Sequence, residues 1–170
     1  MQKTITTFLT FDDQAEEAMT FYTSIFPGSR ILSVTRYGDA GPGPKGQLMS
    51  ATFELAGQEF AVLNGGPSFT FGQGTSLFVD CETQEEVDEY WEKLSEGGEP
   101  GPCGWLTDRF GVSWQVIPRA LGEMLGDEDP ERAERVMNAM LQMGKIEIDG
   151  LREAYEGRAA EGSTSRAPMR

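Results

Sequence analysis

Two stretches, DDQAEEAMTFYTSIFPG (residues 12–28) and ETQEEVDEYWEKLSEGG (residues 82–98), carry the reading on which the fold turns. In the first, Asp12-Asp13 is a helix-start signal. Ala15, Ala18, Met19, Tyr22 and Phe26 then fall on one helical face until Pro27-Gly28 stops it. In the second, Thr83 to Ser95 reads as a helix with Val87, Tyr90, Trp91 and Leu94 on its apolar face, and Gly97-Gly98 ends it. The two helices align residue by residue, Ala15-Glu16-Glu17-Ala18 over Gln84-Glu85-Glu86-Val87 and Phe21-Tyr22 over Tyr90-Trp91. An internal duplication changes the expected fold, because each copy is one supersecondary unit.

The flanks repeat as well. Thr4 to Phe11 (TITTFLTF) is β-branched and aromatic, so the first helix follows a strand. Ser29 to Tyr37 and Gln47 to Leu55 read as strands around the loop Gly38 to Gly46, and Ala56-Gly57 turns the chain into a further strand, Gln58 to Asn64. The second copy opens with Thr75 to Asp80 (TSLFVD). After its helix come an edge segment, Glu99 to Cys103, then Gly104 to Thr107, the turn Asp108-Arg109-Phe110-Gly111, and Val112 to Ile117. The expected fold is therefore α+β, with tandem βαβββ modules at residues 4–66 and 75–118 forming a cleft, where ligands commonly bind. Beyond Pro118 the chain reads as helical: Asp129-Pro130 is an N-cap followed by proline at the first helical position, and Val136 to Tyr155 supply apolar faces for one or two helices. These C-terminal helices (119–156) complete a single expected domain over residues 1–156. The small, polar residues 157–170 read as a disordered tail.

Composition removes whole classes of function. There are 28 acidic against 14 basic residues, a formal net charge of −14, so a surface for nucleic acid or an anionic membrane is not expected. No apolar run reaches a membrane-spanning length, and the start lacks a secretory core, so the chain is read as cytoplasmic. Cys81 and Cys103 are too few for a disulfide scaffold or a structural zinc site. Most informative, histidine is absent, which removes imidazole bases, Ser/His and Cys/His pairs and every histidine-containing metal site.

The duplicated pattern with FYTSIF after its first strand resembles the vicinal oxygen chelate superfamily of glyoxalase I, extradiol dioxygenases and bleomycin-resistance proteins. Within it, the chain resembles the PhnB-like group, whose domain is labelled demethylubiquinone methyltransferase-like. The segments that carry the likeness are FDDQAEEAMTFYTSIFPGSRI (11–31), FAVLNGGPSFTF (60–71), CETQEEVDEYWEKLSEGG (81–98) and CGWLTDRFGVSWQVIPRAL (103–121), and it extends through AMLQMGKIEI (139–148). The resemblance implies a glyoxalase-like fold, a homodimer and a small-molecule ligand. Its catalytic members chelate a divalent metal, and here it places the corresponding positions at Gln115, close to Asn64, near Thr6 or Phe8, and near Gly74 or Ser76. None is a carboxylate or an imidazole, and amides and hydroxyls hold a divalent ion weakly, so a metal-free cleft without cofactor is expected. A methyl donor would need a Gly-rich strand-to-helix turn. Asn64-Gly65-Gly66-Pro67 opens no helix, and GDAGPGPKG (38–46) reads as a hairpin loop rather than a phosphate cradle.

The residues expected at the cleft are Phe8, Asn64, Ser76, Cys103, Trp105 and Gln115. Gln115 alternates with Trp114, so one faces the cleft and the other the core. Phe69 and Phe71 are further aromatic candidates. Cys103 reads as a buried, inert thiol and Cys81 as a residue beside a helix start, where thiolate character is the competing possibility. Glu16-Glu17 and Glu85-Glu86 read as first-turn helix charges, Asp108-Arg109 as a turn, and Met137, Met140 and Met143 as helix packing in the same or a partner subunit. The expected function is small-molecule binding, and the competing one is a divergent enzyme using a carboxylate base or a carboxylate-held metal.

Overall fold

An alternating apolar strand that runs straight into an amphipathic helix can bury both only if the helix folds back over one face of a sheet. Each half of the chain does this. The computed structural model describes residues 5–158. Within them the chain divides into two compact units, the first running to Gly74 and taking in Phe110–Val112, the second comprising Thr75–Arg109 and the chain from Ser113 onward. The first unit holds β1 (Thr7–Phe11), α1 (Ala15–Ile25), β2 (Arg30–Arg36), β3 (Leu48–Leu55) and β4 (Gln58–Asn64). Its sheet order is β1-β4-β3-β2, with β1 parallel to β4 and the other neighbours antiparallel. The second unit holds β5 (Leu77–Cys81), α2 (Gln84–Ser95), β6 (Glu99–Pro100), β7 (Trp105–Thr107) and β8 (Ser113–Pro118), in the order β5-β8-β7-β6 with the same parallel pairing of first and last strands. The tandem βαβββ reading is thus observed. The expected strand start at Thr4 and the tail beyond Arg158 lie outside the described residues.

In the first unit Ala15, Ala18, Met19, Tyr22 and Ile25 of α1 are buried against Leu9 and Phe11 of β1 and Phe53, Phe60 and Val62 of β3 and β4. Each large apolar side chain buried in this way contributes about 1.5–3 kcal/mol. Phe53 and Phe60, directly paired across β3 and β4, stack with centroids 5.5 Å apart. Phe110 joins this core, 5.8 Å from the Phe21 ring and 6.0 Å from Tyr22.

The first turn of α1 has no local side-chain cap. Asn64, at the end of β4, supplies it: Oδ1 accepts the Ala15 N–H at 2.9 Å while Nδ2 donates to the Leu48 carbonyl at 2.9 Å. One buried carboxamide therefore joins the helix start to two strands. In the second unit Thr83 caps α2 locally, its Oγ1 accepting the Glu86 N–H, while the Glu86 carboxylate accepts the Glu82 N–H. Gln84 is left free to hold something else. Its Nε2 donates to the Ile146 carbonyl at 3.0 Å and its Oε1 accepts the Ile148 N–H at 2.7 Å.

That clasp fixes the C-terminal helices α3 (Arg119–Leu125), α4 (Pro130–Met140) and α5 (Ile148–Glu156), packed around Leu121, Val136, Ile146 and Leu151. Met140 and Met143 pack on this cluster, whereas Met137 is exposed. Asp129 caps α4 as expected, accepting the Glu131 N–H.

Two expectations change. Asp108, read as a turn former, is buried, and its carboxylate accepts the Trp114 indole N–H at 2.8 Å. A buried indole needs an acceptor, and the turn supplies it. Cys103, expected buried, is half-buried, with φ at 56°. Its N–H and that of Gly104 donate to the Met143 and Gly144 carbonyls, which holds the turn open. Cys81 is fully buried, and burial pushes its thiol up to about 12, with the Glu86 and Asp80 charges adding to the effect. The helix start does not make it a thiolate.

Three outcomes follow. Asn64→Ala leaves two buried backbone groups unpaired and should cost about 2–4 kcal/mol in denaturant unfolding. Ala56 and Gly57 both have positive φ, 47° and 87°, the pattern of a type I′ hairpin turn. Ala56→Asn should therefore stabilise by about 0.5–1 kcal/mol, read as a raised Tm. Iodoacetamide at neutral pH should alkylate Cys103 in the native protein, with Cys81 modified only after denaturation, as peptide mass analysis would show.

Candidate functional site

Along β8 the side chains alternate in burial. Trp114, Val116 and Pro118 are buried, while Gln115 and Ile117 are half-buried on the other face. Gln115 is paired in register with Phe78 of β5 on one side and Trp105 of β7 on the other. Registered neighbours project to the same face, so Phe78, Gln115 and Trp105 form a row across the sheet at strand spacings of about 4.8 Å. Phe78 is 58% exposed, and Trp105 is half-buried. The Gln115 Nε2 donates to the Ser76 hydroxyl at 2.9 Å, which orients the carboxamide. Among the described residues, its Oε1 and second amide hydrogen have no protein partner.

Ser76, Trp105 and Gln115 are thus brought together. Cys103 lies two residues before Trp105, in the turn tied to Met143 and Gly144. Phe8 and Asn64 belong to the first unit. Phe8, 56% exposed on β1, pairs with Ala61 of β4 as Phe78 pairs with Gln115. By register, then, the first unit has Ala61 where the second has Gln115. Ala61 in turn pairs with Thr52, whose hydroxyl lies 2.6 Å from that of Ser33. Asn64 stands at the end of that strand, with its amide engaged at Ala15 and Leu48. Reasoning from sequence missed Phe78, because the helix alignment carried back sets Phe8 over Leu77, and only the strand pairing, with one residue fewer between β5 and α2 than between β1 and α1, sets Phe8 over Phe78.

The row has no titratable side chain. Asp80, the nearest carboxylate along β5, accepts from Arg119, whose Nη2 lies 2.8 Å from it, and the same guanidinium bonds Glu82 at 3.0 Å. Among the described residues no three His, Cys, Asp or Glu side chains gather to hold a metal. An amide and a hydroxyl without a carboxylate do not suit a divalent cation.

A family model described as 3-demethylubiquinone-9 3-methyltransferase matches residues 3–117. The C-terminal helices lie beyond that match. A PhnB protein structure from Bacillus cereus is 44% identical, covering 68% of this chain and 99% of that one, with a TM-score of 0.62. A protein from Pseudomonas aeruginosa at 23% identity covers 69% of this chain and 98% of its own, with a TM-score of 0.58. The fosfomycin resistance protein FosX of Listeria monocytogenes, solved with Mn(II) and sulfate, is 19% identical over 67% of this chain and 89% of its own, with a TM-score of 0.50. The last two show likeness of fold alone. No curated protein matches. The match over both modules and the likeness to the PhnB structure place this chain in the 3-demethylubiquinone-9 3-methyltransferase family, among the PhnB-like proteins.

Proposed function

We propose that this chain is a small-molecule-binding protein that takes a flat, uncharged ligand bearing a carbonyl or amide group on the open face of its second sheet. The observation that supports the reading is Gln115, a carboxamide oriented by Ser76 between two aromatic side chains, with an acceptor and a donor to spare. Rings on both sides favour a planar partner, and an amide answers a complementary polar edge with paired hydrogen bonds. A metal-free mode of binding accords with these donors. An acid–base reaction at this row would have to recruit its base from outside it, which puts the enzymatic reading second.

The proposed state is a cytoplasmic homodimer. Both thiols are free, and no helix among the described residues is long and apolar enough to cross a membrane. Strand β2 closes one edge of the first sheet with all of Arg30–Arg36 exposed, including Ile31, Leu32 and Val34. Such an edge invites cover by another chain.

Native mass spectrometry of untreated protein should show a dimer and any organic adduct retained from expression. Benzamide, a planar ring with a carboxamide, serves as probe and should quench tryptophan emission saturably. Gln115→Ala should weaken that binding about tenfold, with less than about 1 kcal/mol lost in unfolding. Unchanged benzamide binding with a large loss of stability would reassign Gln115 to packing. A stoichiometric metal in the native mass would overturn the metal-free reading.

A further inference from the structure

A cavity of about 570 Å³ lies wholly in the first unit, at the carboxyl end of the β1/β4 pair, and shares no residue with the Gln115 row. Its floor is the strand end at Leu63 and Asn64, and its roof is the Gly-Pro loop 38–46. That loop is pinned at both ends. The Tyr37 N–H donates to the Gln47 carbonyl at 2.9 Å, the Gly46 N–H donates to the Tyr37 carbonyl at 2.8 Å, and the Tyr37 hydroxyl donates to the Asn64 carbonyl at 3.2 Å. Gly43 packs so closely on the Tyr37 ring that a Cβ there would stand 2.3 Å from it. The cavity is therefore framed by strand ends and by a ring packed against Gly43 and hydrogen-bonded to Asn64, and its size is that of ordinary small-ligand sites.

Its walls combine three chemistries. Tyr37 and Phe69 supply two aromatic rings, Pro42 and Pro44 supply apolar surface, and Asp12 and Asp13 supply two carboxylates. Among the described residues, no lysine or arginine lines it. The loop's own cation, Lys45, is spent on Asp39 at 2.7 Å, and the neighbouring Arg36 is held by both oxygens of Glu16 at 3.0 and 2.6 Å. Among the described residues, neither Asp12 nor Asp13 has a basic partner. Rings, apolar walls and uncompensated negative charge around one space favour a cation that carries hydrocarbon.

The geometry points to a second ligand site in this cavity, one that takes a small organic cation, an arylalkyl or quaternary amine. The inference goes beyond the proposed function: it concerns another unit, other residues and a ligand of other charge. Helix-start aspartates also complement the α1 dipole, and the test separates that role from binding.

The probe is benzylammonium, titrated calorimetrically at neutral pH and low salt, with benzyl alcohol as its uncharged counterpart. The expected result is saturable benzylammonium binding, no saturation by benzyl alcohol up to about 10 mM, and a loss of about tenfold or more in affinity in the double variant D12N/D13N. A second double variant, E92Q/E123Q, removes the same charge from exposed helix positions in the second unit and should bind as the parent does. Far-UV circular dichroism and cooperative unfolding of D12N/D13N check that it folds. Tyr37→Leu, which removes one ring and no charge, should weaken binding in the same assay. Absence of benzylammonium binding, equal binding of benzyl alcohol, equal loss in E92Q/E123Q, or a D12N/D13N variant that loses stability and keeps its affinity would each overturn the inference.

Discussion

Every helix begins with backbone N–H groups that its own turns cannot satisfy, and in this protein the way each βαβββ unit meets that need shapes what surrounds it. The first unit has no local cap, so Asn64 reaches Ala15 across 49 positions of sequence and binds Leu48 with its other end. Helix start, final strand and the start of β3 are thereby fixed to one another by a single carboxamide. The second unit caps α2 with Thr83 and Glu86, and its first-turn carboxamide, Gln84, takes hold of Ile146 and Ile148 instead. The same fold requirement, met locally in one copy and remotely in the other, leaves one copy able to anchor three further helices.

The two copies have also parted at the sheet faces. Register places Phe8 over Phe78 and Ala61 over Gln115, so one face carries a methyl where the other carries an oriented amide. The first unit invests instead in the loop over Tyr37. Family membership does not choose between these surfaces, because function resides in sites rather than in folds. The family's name speaks of methyl transfer, yet the row around Gln115 has no titratable group, and no Gly-rich strand-to-helix turn is present in this sequence to cradle a nucleotide-derived donor.

Most of the fold was legible because local periodicity and punctuation agreed with it. The apolar faces of α1 and α2, the stops at Pro27-Gly28 and Gly97-Gly98, and the Asp129-Pro130 start all correspond to observed element ends within one or two residues. Legibility fell where a side chain's partner is distant. Asn64 gives no local sign that it will cap a helix, and Asp108 looks like any turn aspartate until the Trp114 indole is placed above it. Cys81 sits beside a helix start, but its protonation is set by burial that sequence position does not reveal. Of the candidate site, Gln115 and Ser76 came from the family resemblance, with strand alternation separating Gln115 from Trp114, and Trp105 from its aromatic character, whereas Phe78 required strand register.

Charge supplies a last constraint on ligands. Among the described residues, every lysine and arginine is already engaged. Arg30, Arg36, Lys45, Lys93, Arg119, Arg132, Lys145, Arg152 and Arg158 pair with carboxylates, Arg135 holds the Ala154 and Tyr155 carbonyls, and Arg109 has partners of its own. Most of these pairs are exposed and add little to stability. Their effect on recognition is larger than their effect on folding. An anionic ligand would have to displace a carboxylate from its cation before gaining a charged contact, in a field set by a net charge of −14. Neutral and cationic molecules face no such exchange, and the two proposed sites, an amide between rings and a carboxylate-lined aromatic cavity, are chemically matched to those two classes.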